Sequence, residues 1–165
     1  MARVRASIAT GGSSSPEVGY TASHLNTWRT ILQLVVPANH IAAVKGFSIS
    51  FDGMSVTAQP VEVQLLRQSN AGTGGTSVTA YEEGVFSISS IQCSGQKGIW
   101  STTEPSDSVT NVPLRAYNVH PQTGIEVRFN ADDEILVGGT SGGRLGLRIK
   151  ADAAVNCLAH LSFEE

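Results

Sequence analysis

The stretch Val155-Asn156-Cys157-Leu158-Ala159-His160-Leu161-Ser162-Phe163 decides the fold class. Val155, Cys157, Ala159, Leu161 and Phe163 recur at every second position, and Asn156, His160 and Ser162 fill the positions between. Successive side chains of an extended chain point to opposite faces, so this is a strand with one face buried and the other polar. Leu158 is the exception: it places an apolar side chain on the polar face.

The same period of two recurs along the chain. Leu145, Leu147 and Ile149 alternate with Gly146, Arg148 and Lys150, and Ile125, Val127 and Phe129 with Glu126 and Arg128. Val61, Val63 and Leu65 alternate with Glu62 and Gln64, Phe47, Ile49 and Phe51 with Ser48 and Ser50, and Val4, Ala6 and Ile8 with Arg3, Arg5 and Ser7. Gly and Pro lie mainly between these runs, in Asp52-Gly53, 72–75, Gly138-Gly139 and Gly142-Gly143, which read as turns or loops. Helical signals are nearly absent. Short strands separated by turn signals predict an all-β protein, an antiparallel β-sandwich or barrel. A chain of 165 residues is one domain's length, with no fixed-period repeat and no composition shift, so a single domain over 1–165 is expected.

Three segments depart from the pattern. Residues 11–19 are rich in Gly and Ser and read as a flexible linker, so 1–19 can form an N-terminal arm. Its strand, from Arg3 to Ala9, would then pair either with a neighbouring subunit or within its own sheet. Residues 69–79 read as a mobile connection. Residues 87–112 have little periodicity, and such a long irregular loop is usually functional. Two runs are apolar on both faces: Ile31 to Val36 reads as a covered central strand, and Leu66 stands out of register in its own strand.

Composition narrows the function classes. Charged residues make up 15%, against about 25% in an average domain, and the net charge is -3 without a basic cluster. Neither nucleic acid nor a membrane surface is an expected partner. Residues 31–47 are interrupted by Gln33, Pro37, Asn39, His40 and Lys45 and cannot span a bilayer as a helix. The N-terminus lacks the apolar run of a secretory signal, so Cys93 and Cys157 are expected as reduced thiols, with Cys157 in the core.

No catalytic, cofactor or metal constellation stands out. His24, His40, His120 and His160 lack ligand spacing, and Asp132, Asp133 and Glu134 lack the calcium-loop pattern. The Gly-rich run 138–143 leads into a strand and carries no Lys for a phosphate. The expectation is a non-enzyme without cofactor or metal. Surface candidates for protein contact are Arg3 and Arg5 on the first strand, Trp100 in the irregular segment, and Leu158.

Two segments together carry a family resemblance. Pro60-Val61-Glu62-Val63-Gln64-Leu65-Leu66-Arg67-Gln68 runs towards Ala71-Gly72-Thr73-Gly74. Gly143-Arg144-Leu145-Gly146-Leu147-Arg148-Ile149-Lys150-Ala151 runs into Ala154-Val155-Asn156 and the end Phe163-Glu164-Glu165, with Val119-His120-Pro121-Gln122 between. These resemble the head decoration, or cement, proteins of tailed bacteriophages. The resemblance implies a jelly-roll-like sandwich, a homotrimer, the major capsid protein as partner, and a place on the virion surface after synthesis in the bacterial cytoplasm. A phage tail or fibre-tip module that recognises a host glycan or protein is the alternative.

Overall fold

The computed structural model describes residues 4–11, 18–53, 59–84, 91–100, 103–105 and 113–165. Its strands are β1 (Arg5–Ala9), β2 (Val18–Tyr20), β3 (Arg29–Val36), β4 (His40–Phe51), β5 (Val61–Gln68), β6 (Thr76–Val78) and β7 (Tyr81–Glu82). They continue with β8 (Ser94–Lys97), β9 (Arg115–Val119), β10 (Gly124–Arg128), β11 (Ile135–Gly139), β12 (Gly143–Lys150) and β13 (Val155–Glu164). One short 3-10 turn, Ala22–His24, precedes β3.

The strands form two antiparallel sheets. The first runs β10-β4-β13-β1-β7, with β11 also on β4 and β2 also on β13; the second runs β6-β8-β3-β12-β5-β9. The chain crosses between them repeatedly, from β3 to β4 to β5 and from β9 to β10. The period-two residues meet in the middle: Leu32, Leu34, Val63, Leu65, Leu145 and Leu147 from one sheet face Ile8, Phe47, Ile49, Cys157, Leu161 and Phe163 from the other. The expected antiparallel sandwich is therefore the fold.

The first strand lies in its own sheet. β1 pairs with β13 from Arg5↔Glu164 to Ala9↔His160, and with β7 on its other side. Ala6 and Ile8 are buried, which ties the strand down. Of the arm's two alternatives, the own-sheet pairing is the one adopted. Arg3 and most of the Gly/Ser linker lie outside the described residues.

The second sheet is covered on both faces. Leu66 and Trp100 are buried but stand outside the intersheet core cluster. Residues 69–75 lie over the outer face of this sheet, tied by Gln33 Nε2 donating to Asn70 O at 3.1 Å. Gln33 also donates to Gln68 Oε1 at 2.7 Å, and Gln68 Nε2 donates to Thr30 Oγ1 at 2.8 Å. Glu104 accepts from the Thr30 N–H at 3.0 Å and from Arg29 at 3.2 Å. Gln33, Gln68 and Thr30 are all buried, and a buried polar group costs about 1–3 kcal/mol if left unpaired, so these bonds hold the cover on the sheet. Ile31 to Val36 is accordingly the covered central strand that its two apolar faces predict.

Several local readings are corrected. Gly138 and Gly139 end β11, with the turn following at Thr140 and Ser141, and Gly143 already belongs to β12. Both Gly138 and Gly139 have positive φ, which glycine adopts without the Cβ penalty. The connection 69–79 contains β6, and the irregular segment contains β8; β8 pairs with β3, and β6 pairs with β8 at the sheet's edge.

The two cysteines are thiols, both buried. Burial, and then the neighbouring Glu165 carboxylate, push the Cys93 thiol far above its usual range. The thiolate is the reactive species. Neither cysteine is therefore expected to react with an aromatic disulfide reagent in the native protein. Both should react at once in denaturant; rapid labelling of either without denaturant would contradict the packing.

Candidate interaction face

The outward face of the first sheet is built by the polar half of each alternating strand. Ala6 and Ile8 point inward, so Arg5, Ser7 and Ala9 point out. Cys157, Ala159 and Leu161 point inward, so Leu158, His160 and Ser162 point out. Register then sets out rows across the sheet. One row is Arg128, Gly46, Ser162, Ser7 and Tyr81. The next is Glu126, Ser48, His160 and Ala9, and the third is Gly124, Ser50 and Leu158. Because the side chains in its middle are small, the face is recessed there, between Arg5, Lys45, Ser48 and Glu134 and again beside Ser50 and Leu158.

Among the described residues, the exposed large hydrophobic side chains are Ile41 (59%), Tyr81 (64%), Leu136 (55%) and Leu158 (41%). All four stand on this face. Leu136 lies opposite Ala43 and Ile41 opposite Gly138, on the side of β4 away from buried Ala42 and Val44. Tyr81 lies opposite Ser7. They are spread over the face, Leu158 opposite Ser50 at one end of β4, Leu136 and Ile41 at the other and Tyr81 on the edge, and together they mark it as the candidate contact surface.

A charged band crosses the face. The register of β13 on β4 shifts between Ser162 and Phe163, leaving Lys45 as the extra residue of a bulge. Its ammonium reaches Glu134 and, at 3.0 Å, Glu164. Arg5 Nε donates to Glu164 at 2.9 Å, and Arg128 to Glu126 at 2.7 Å. The three cations are thus matched by carboxylates of the same chain.

The hydrogen bond to Glu134 raises the Lys45 pKa above the usual 10.5, against a smaller opposing effect of desolvation, with Glu164 adding to the rise. A folded-state pKa above the unfolded one stabilises the fold below the unfolded value, and this is lost as pH rises through the folded value. Lys45→Met is therefore expected to lower the denaturation midpoint at neutral pH. The difference from the parent protein should close above pH 10.5. A gap that persists at alkaline pH would mean that packing, not charge, carries the effect.

The candidate contact residues divide. Leu158 and Arg5 both lie on this face, at opposite ends of β13's outward row. Arg5 keeps an exposed side chain beside Glu164. Trp100 does not lie at the surface: it is 1% exposed, and its indole rests against Gly72 and Gly75. An isolated Trp in an aperiodic segment reads as a surface anchor, but here its ring is packed against the loop at Gly72 and Gly75. Ile41, Leu136 and Tyr81 were missed because their outward placement depends on pairing with β4 and β1, which no single strand reveals.

A recess near the end of β12 is lined by Asn26, Glu62, Asn118, Lys150 and Asp152. Lys150 is paired with Glu62 at 2.6 Å, and Arg148 and Lys150 lie over the nearby Trp28 ring at 4.7 and 5.4 Å. Among the described residues no three His, Cys, Asp or Glu side chains are grouped to hold a metal, and no helix is long and apolar enough to cross a membrane. Compared with known proteins, the chain matches no family model, no curated protein and no solved structure.

Proposed function

We propose that this chain is a structural protein of a tailed-phage virion that decorates the capsid and stabilises it by surface contact, working as a homo-oligomer. The observation that carries the reading is that the exposed large apolar side chains among the described residues, Ile41, Tyr81, Leu136 and Leu158, all stand on one open sheet face. The strand-and-turn patterns around 60–74 and 143–165 supply the link to head decoration. The chemistry needed is modest. Burial of apolar area contributes about 25 cal/mol per Å², and a contact repeated around a shell multiplies a small gain per copy.

The test is binding of the purified protein to shells of the cognate phage assembled without it. Saturation at a fixed copy number, with shells that resist heating better, is the expected result. No binding to shells, together with retention on a glycan or host-surface array, would replace this reading with a tail or fibre-tip module.

A further inference from the structure

Just beyond the end of β4 the chain carries a chemically labile bond. Asp52-Gly53 is the one place in the sequence where an aspartate or asparagine precedes a glycine. We propose that it is an aspartate-isomerisation site gated by conformation: closed while Asn156 and Pro121 hold it, and modified only in chains where this strand end has opened. The inference does not depend on what the first sheet's outward face meets.

The chemistry needs water alone. The Gly53 backbone nitrogen attacks the Asp52 side-chain carbon Cγ and gives up its proton. The new N–C bond closes a five-membered succinimide, and one carboxyl oxygen leaves as water. A second water then reopens the ring. Attack at the main-chain carbonyl gives isoaspartate, in which the peptide bond to Gly53 runs through Cγ and the backbone is one methylene longer. Attack at Cγ restores aspartate. Nothing is oxidised or reduced. A following glycine favours the reaction because no side chain shields the attacking nitrogen.

The fold requires that glycine. Gly53 is buried, its N–H donates to Pro121 O at 2.7 Å, and a Cβ there would lie 2.5 Å from the same oxygen. A bulkier residue that would slow the attack therefore does not fit. The surroundings block the reaction instead. Asp52 itself is exposed, so water reaches it. Both of its carboxylate oxygens are nevertheless held: the Asn156 N–H donates to Oδ1 and Asn156 Nδ2 to Oδ2, each at 2.8 Å. The Asp52 N–H donates to Asn156 O at 3.2 Å, and the Phe51 N–H to Thr123 O at 2.8 Å. The nucleophile is thus tied to Pro121 and the electrophile to β13. Ring closure has to release both, which takes a local opening of the strand end. Hydrogen bonds to a charged group are strong enough that losing one makes such an opening about tenfold more frequent. The extra methylene of isoaspartate shifts Gly53 away from Pro121, so the modification records that the opening occurred.

The test compares the folded protein with the same protein in urea, both held at neutral pH. Isoaspartate at position 52 is measured by labelling with isoaspartyl methyltransferase and by peptide mapping. With both carboxylate bonds intact, the folded protein is expected to isomerise about a hundredfold more slowly than the unfolded chain. Asp52→Glu should remove the signal, because its ring would have six members and closes far more slowly. Asn156→Ala with the parent's circular dichroism should isomerise about tenfold faster than the folded parent. A folded parent that isomerises as fast as the chain in urea overturns the inference. So does a folded Asn156→Ala that keeps the parent's rate. If Asn156→Ala does not fold, the comparison of folded and unfolded parent decides alone.

Discussion

Trp100→Ala is expected to cost about 3–5 kcal/mol, the range for removing a large buried aromatic side chain. The indole is 1% exposed and lies against Gly72 and Gly75. A Cβ on Gly75 would come within 2.8 Å of the ring, so the loop and the ring are matched in shape. Gly72 has φ +67, a conformation that lets the backbone turn beneath the ring. The bridge between Thr73 and Thr103 closes the same unit from the other side. Trp100 belongs to the cover of the second sheet and not to the intersheet core. The variant should therefore keep its sandwich, with a lower denaturation midpoint and new protease cleavage within 69–105. An unchanged midpoint would mean that the cover adds nothing to stability.

Gly146→Ala is the second large effect, expected at about 2–4 kcal/mol. Gly146 pairs with Gln33 on one side and Leu66 on the other, and its Cβ would overlap the Gln68 carboxamide. That carboxamide cannot step aside freely. Its oxygen accepts from Gln33 and its nitrogen donates to Thr30, all within a buried layer. Overpacking costs about 1–3 kcal/mol, and breaking a buried hydrogen bond costs a similar amount. Adding Gln68→Ala to Gly146→Ala makes room for the methyl group, so in urea denaturation the double variant should lose less than the sum of the two single variants. Strict additivity of the two substitutions would show that Gln68 is not the obstacle.

Both residues show what could be read from the sequence and what could not. In β12 the alternation of Leu145, Leu147 and Ile149 places Gly146 on the other face, and the structure agrees. Nothing in the alternation says that this other face is buried, or that a glutamine from β5 fills it. Trp100 shows the same gap: its segment has no period, because β8, Ser-Gly-Gln-Lys, carries no large apolar side chains to mark it. β8 is a strand because β3 and β6 offer it backbone partners. β2, Val-Gly-Tyr, is likewise a strand through its pairing with β13.

The candidate face was half legible. Leu158 is conspicuous because it breaks the alternation of its own strand, and Arg5 because it lies on the polar side of β1. Ile41, Leu136 and Tyr81 join them only through cross-strand register.

By itself the sequence determined the all-β class, the inward side of each alternating strand, the burial of Cys157 and the odd position of Leu158. These follow from local geometry, since an extended backbone sends alternate side chains to opposite faces whatever lies beyond it. Tertiary structure alone decided which outward faces stay open. The second sheet's face is closed by residues 69–75 and by Trp100, through hydrogen bonds to Gln33 and contacts at Gly72 and Gly75. The first sheet's face keeps Leu158, Leu136, Ile41 and Tyr81 in solvent. Long-range pairing made that difference, and it depends on residues far apart in the chain whose meeting no local pattern encodes.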